Sequence, residues 1–148
     1  MSILEGNGHG DFRKLLYEHY VSTFKGEQSA HSPESAERYW DWCRHRIAPL
    51  LEGVDRSAPV LELGCGPGDM LAFLGHQGFG QVLGIDISDE QVQIACGRGL
   101  TAQASDVSTF LGEHQRSYGL IVALDFVEHF TKDELLHVLP LVRNALLP

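Results

Sequence analysis

The amino-acid sequence predicts an α/β fold, a doubly wound parallel sheet preceded by helices. Three observations carry this. From Pro59 onward, short apolar segments alternate with segments of helical spacing. The apolar segments are continuous rather than alternating, as strands buried on both faces are. Each is followed by glycines or an aspartate, where such a strand turns toward its next helix. Right-handed crossovers make a sheet of this kind doubly wound. Ligands then bind at the carboxyl ends of the strands, where strand order reverses.

The elements follow in order. Residues 11–24 place Phe12, Leu15, Leu16, Tyr20 and Phe24 at helical spacing, with Asp11 as N-cap. Residues 32–51 form a second helix, capped by Ser32, with Pro33 at its first position and Glu34 on the positive end of the dipole. Its apolar face is Ala36, Tyr39, Trp40, Cys43, Ile47, Leu50 and Leu51, and Pro49 ends or kinks it. Val60–Leu63 is a buried strand. Residues 69–77 are helical and stop near Gly78. A second strand covers 81–85 and ends at Asp86. Ser88 and Gln91 form a capping box for a helix through Cys96, stopped by Gly97 and Gly99. Residues 101–104 are a short third strand, and 107–114 a helix. YGLIVAL, residues 118–124, is the most apolar strand. Thr131 and Glu134 cap a last helix that runs to about Leu147.

Composition bounds the function. The chain has 148 residues, 43% hydrophobic and 21% charged, which is globular and fits one ordinary domain. Within it, residues 1–54 read as a helical cap and 55–148 as the ligand-binding α/β part. Lys and Arg total 11 against 20 Asp and Glu, a net charge of −9. Such a surface repels phosphate backbones and anionic lipid, so nucleic acid and membrane are not the expected partners. Cys43, Cys65 and Cys96 form no CxxC and no zinc spacing, which fits reduced thiols in the cytoplasm. The first residues lack the basic and apolar regions of a signal peptide. No apolar run approaches the roughly 20 residues that span a bilayer. The eight histidines form no HxH or Cys/His cluster, so no metal is expected.

VLELGCGPGD, residues 60–69, is the strongest signal. It leaves a strand and opens a helix, and Gly64, Gly66 and Gly68 let the backbone turn tightly and approach a ligand. A dinucleotide fingerprint needs GxGxxG or GxGxxA, but that third position is Asp69. Asp69 also sets a negative charge where a pyrophosphate would sit. A nicotinamide-dependent oxidoreductase is therefore disfavoured. Asp86 after the second strand can accept two hydrogen bonds from a ribose diol, a use common to several nucleoside sites. Asp86 or Asp106 alone reads equally as a helix cap. An acid or glycine loop after each of four successive strands is more specific than any one of them.

VLELGCGPG resembles motif I of class I S-adenosylmethionine-dependent methyltransferases, and the resemblance runs from Val60 to Pro148. It implies a Rossmann-like sheet and S-adenosylmethionine as cofactor. It assigns Gly64, Cys65, Gly66 and Gly68 to the methionine part of that cofactor, and Glu62 to its amino group. It assigns Asp86 to the ribose hydroxyls and Ile87 to packing on the adenine. Asp106 then accepts the adenine amine, the Val107 N–H faces the ring, and the Leu124–Asp125 backbone meets the ammonium. The segment DFVEHF, residues 125–130, is similar to its counterpart in small-molecule methyltransferases of the ubiquinone-biosynthesis type. It makes His129 the candidate acceptor contact or general base, against a packing role beside the last helix. Tyr17, Tyr20, Tyr39 and Trp40 read either as core or as walls of an acceptor pocket.

The family's sheet has seven strands, and this sequence supplies four. Its usual strand order leaves YGLIVAL at a sheet edge, a pairing hazard that predicts a homodimer covering that strand. The expected function is methyl transfer to a small-molecule acceptor. The alternative is a non-catalytic cofactor-binding or scaffold domain of the same fold.

Overall fold

The computed structural model describes residues 33–148. The expected helix at 11–24, its tyrosines Tyr17 and Tyr20, and the Ser32 cap lie outside the described residues. Helix α1 is Pro33–Arg46, followed by a 3₁₀ turn at Ala48–Leu51. Strand β1 is Val60–Leu63, α2 Asp69–His76, β2 Val82–Asp86 and α3 Asp89–Gly97. Then come β3, Ala102–Ala104, and α4, Val107–Glu113. Strand β4 is Leu120–Val122, a 3₁₀ turn covers Val127–His129, and α5 is Lys132–Ala145.

All strand pairs are parallel and the order is β3-β2-β1-β4. Strand order thus reverses between β1 and β4. Strand β1 is buried along its whole length. Its alternation feeds two apolar layers. Val60 packs with Cys43 and Ile47 of α1 and with Met70, Phe73 and Leu74 of α2. Leu61 and Leu63 pack on the other side with Phe110 and Leu111 of α4 and Val138 and Ala145 of α5. The sheet is doubly wound, as the sequence predicts.

Local chemistry sets the element ends. Thr131 and Glu134 form a full capping box, the Thr131 N–H donating to Glu134 Oε2 at 2.7 Å. Ser88 accepts from the Gln91 N–H at 3.4 Å. Gly78 and Gly99 carry positive φ just past α2 and α3. Arg56 donates to the carbonyls of Leu51, Val54 and Gln77 and lies over the Phe79 ring. It ties the chain entering β1 to the end of α2.

Two expectations are corrected. Leu50 is 74% exposed, not on the apolar face. The 3₁₀ turn after Arg46 has three residues per turn, so the helical phase slips there. Strand β4 is much shorter than 118–124. At its start, Tyr118 instead forms a parallel bridge to Leu146, and its N–H donates to the Ala145 carbonyl. Of the two readings of Tyr39 and Trp40, the core one holds: both are partly buried against the α1–α2 layer, Trp40 edge-on to Phe73 at 5.8 Å. No helix among the described residues is long and apolar enough to cross a membrane.

Candidate functional site

The carboxyl ends of the four strands open into one cavity of about 300 Å³. Gly64 and Gly66 line it after β1, and Asp86 and Ile87 after β2. Asp106 and Val107 line it after β3, and Asp125 and His129 after β4. These eight sequence-predicted residues converge from four separate segments.

Asp86 is held by the loop it faces. The Gly66 N–H donates to its Oδ2 and the Ser88 N–H to its Oδ1, each at 2.9 Å. Each oxygen keeps capacity for another donor. Burial pushes the Asp86 carboxyl above its usual range, and these amide bonds oppose that rise. Asp106 joins both readings of its sequence position. It caps α4, its Oδ1 accepting from Ser108 and Thr109 N–H at 2.9 and 3.0 Å, and it lines the cavity.

Glu62, Cys65, Gly68 and Leu124 do not line the cavity. Glu62 faces the α1–α2 layer with Val60, because alternate β1 residues share a face. It is 4% exposed, and its Oε2 has no hydrogen-bond partner. Burial, reinforced by Asp86 and then Asp69, pushes its carboxyl well above the usual range, against one bond from the Leu71 N–H. Cys65 turns onto the sheet, where a Cβ on Gly84 would lie 2.6 Å from its own Cβ. Burial pushes its thiol up. Gly68 has φ +89°, and a Cβ there would meet Leu100 at 2.5 Å. Leu124 packs its side chain with the α1–α2 layer. These residues support the loop from behind.

Other contributors were not singled out in the sequence. Arg98 braces the glycine loop, donating to the Pro67 carbonyl at 2.6 Å and to Asp69 Oδ1 at 2.8 Å. Phe126 lies on the loop, so that a Cβ on Gly64 would approach its ring to 2.8 Å. Asp125, with φ +47°, turns the chain so that this contact forms. Aspartate tolerates that left-handed conformation better than most residues. The Phe126 and Phe130 rings sit 4.8 Å apart, and both line the cavity. Their signal in the sequence was an aromatic pair four residues apart, straddling His129. Ser88, Gln91 and Ser105 also line the cavity. Among the described residues, no group of three or more His, Cys, Asp or Glu is placed to hold a metal ion.

A glycine loop after β1, acids after the next strands and a cavity at the reversal point are the arrangement in which Rossmann-like sheets bind nucleosides. Residues 33–143 match the family described as Methyltransferase domain, and the chain belongs to it. Among curated relatives, the trans-aconitate 2-methyltransferase of Mycobacterium tuberculosis is 35% identical over 75 residues. That match covers 47% of this chain and 29% of the relative, so the chain spans under a third of its length. Solved structures share the fold. An S-adenosylmethionine-dependent methyltransferase from Archaeoglobus fulgidus superposes with a TM-score of 0.65 at 23% identity, covering 86% of this chain and 52% of that one. The magnesium protoporphyrin IX methyltransferase of Synechocystis PCC 6803, with bound S-adenosylmethionine, gives 0.69 at 16% identity, covering 97% and 74%.

The residues present fit that cofactor. The loop carries no side chain where Gly64 and Gly66 border the cavity, no Lys or Arg among the described residues lines it, and a buried carboxyl oxygen of Glu62 stands unpartnered behind it. A nucleoside bearing positive charge suits this lining.

Proposed function

We propose that the protein transfers a methyl group from S-adenosylmethionine to a small-molecule acceptor. The observation that carries this is the convergence of Gly64, Asp86, Asp106 and Asp125 on one cavity at the sheet's reversal point. In this reading Asp86 receives the ribose hydroxyls, Ile87 packs on the adenine, and Asp106 with the Val107 N–H takes its edge. The loop from Gly64 to Gly68 lies against the methionine part, with Glu62 behind it and the Leu124–Asp125 backbone at the ammonium.

When bound, the cofactor supplies a methyl group already activated on a sulfonium, with a neutral thioether as leaving group. The chain's own work is then to position the acceptor in line and to exclude water. His129, exposed on the cavity rim, takes the proton of a hydroxyl acceptor and passes it to solvent. Of the expected cap, the described part, helix α1, packs on α2 of the ligand-binding part through Cys43 and Ile47. Free Cys43, Cys65 and Cys96 support a cytoplasmic setting. Net negative charge disfavours nucleic acid, and the open edge of β4 is the seat for a second copy.

Calorimetric titration with S-adenosylhomocysteine tests the reading, with NADH as control. Micromolar binding of the first alone is expected. Asp86→Ala removes charge-assisted hydrogen bonds and should weaken it ~10- to 100-fold. Binding of NADH, or an Asp86→Ala variant that binds as the parent does, contradicts the proposal.

A further inference from the structure

We infer that the methyl acceptor carries no negative charge at its reacting end, and that it lays an apolar ring or chain against Phe126 and Phe130. The inference rests on the methyl-transfer reading and sharpens it. The β4 end of the cavity comes from a single segment, residues 125–130. Two of its side chains are the tilted aromatic pair, both half-buried and both on the cavity wall. Two others, Asp125 and Glu128, are exposed carboxylates, and Asp125 lines the cavity itself.

Besides Asp125 and Glu128 at this end, the acids of the described linings extend along the rest of the cavity. Asp86, Asp106 and Asp125 line the main cavity, and Asp106, Asp133 and Glu134 line the adjoining one. Among the described residues, neither lining holds a lysine or arginine. Arg98, at the C-cap of α3, braces the glycine loop and is committed to the Pro67 carbonyl and Asp69.

A carboxylate acceptor is held by a guanidinium fork or an ammonium, which match its charge and geometry. Here it would meet the carboxylates of the lining, Asp125 foremost, with like charge. Histidines of these two linings, His129 and His137, do not supply the several fixed positive charges that a tricarboxylate needs. The aromatic pair offers apolar area and ring edges to a flat, uncharged partner. The curated relatives are named for trans-aconitate, a tricarboxylate, and this lining departs from what that molecule requires. Their aligned region covers 29% of their length, so the names do not carry the acceptor across.

Matched probes separate charge from shape. The chain is first titrated with S-adenosylhomocysteine; no binding at that stage sinks the methyl-transfer reading itself, before any acceptor probe is added. The loaded protein is then titrated with benzamide, benzoate and trans-aconitate, following ligand signals by NMR. Benzamide should bind at least about tenfold more tightly than either anion. Phe130→Ala should weaken benzamide, and Asp125→Asn should narrow the gap to benzoate, with S-adenosylhomocysteine affinity measured for each variant. Benzoate or trans-aconitate binding as tightly as benzamide overturns the inference. So does a loaded protein that binds none of the three.

Discussion

Glu62 shows how one side chain links stability to the site. It is buried in the α1–α2 layer with an unpartnered Oε2 and two other carboxylates acting on it. Its carboxyl holds a proton to higher pH in the folded chain than in the unfolded one. The folded state therefore binds more protons, and stability falls as pH rises from the unfolded carboxylate range through the raised folded value. Asp86 shifts in the same direction and adds to the loss. Glu62→Gln should melt at a higher temperature than the parent, with a gap that widens from pH 5 to pH 8. A gap independent of pH would show that the fold does not raise the Glu62 carboxyl. The same variant should bind S-adenosylhomocysteine less tightly, which separates stability from function. At this scale the aspartates were legible as a set, since each alone reads equally as a helix cap and only their recurrence at successive strand ends points to a site. Phe126 was not. Its place over Gly64 depends on the positive φ of Asp125, which nothing in local composition announces.

Elements were legible where short-range chemistry decides them. Strand β1 falls on Val60–Leu63 as its apolar run predicts, and Thr131 and Glu134 open α5 as a capping box should. Misreadings arose where distant segments decide. Strand β4 loses Tyr118 to the α5 end and stops before Asp125 turns the chain. The loop's brace was invisible for the same reason, because Arg98 and Asp69 stand 29 positions apart. This pair is about one-third exposed, so its charge term is small, and the bond to the Pro67 carbonyl adds to it. Arg98→Ala should lower stability by about 1 kcal/mol and weaken S-adenosylhomocysteine binding ~3- to 10-fold through a looser loop. Denaturant unfolding and calorimetry on the same sample check both. An unchanged affinity would mean that Arg98 supports the fold without shaping the site.

For the whole molecule, the alternation of apolar and helical segments specified the layers, and with right-handed crossovers the reversal between β1 and β4 in the order β3-β2-β1-β4 puts helices on both faces. Association depends on the β4 edge. That edge is three residues long, and the Tyr118–Leu146 bridge shortens the open stretch. Two copies pairing there should appear as a concentration-dependent dimer in sedimentation equilibrium, and a monomer at 100 μM contradicts that assembly. Whether four strand ends form one cofactor site is read from the backbone amide NMR spectrum of the isotopically labelled chain during titration with S-adenosylhomocysteine. Gly66, Ser88, Val107 and Phe126 amides should shift together along one saturation curve, with NADH leaving them in place. Shifts confined to one of these segments, or a response to NADH instead, would contradict a single cofactor site.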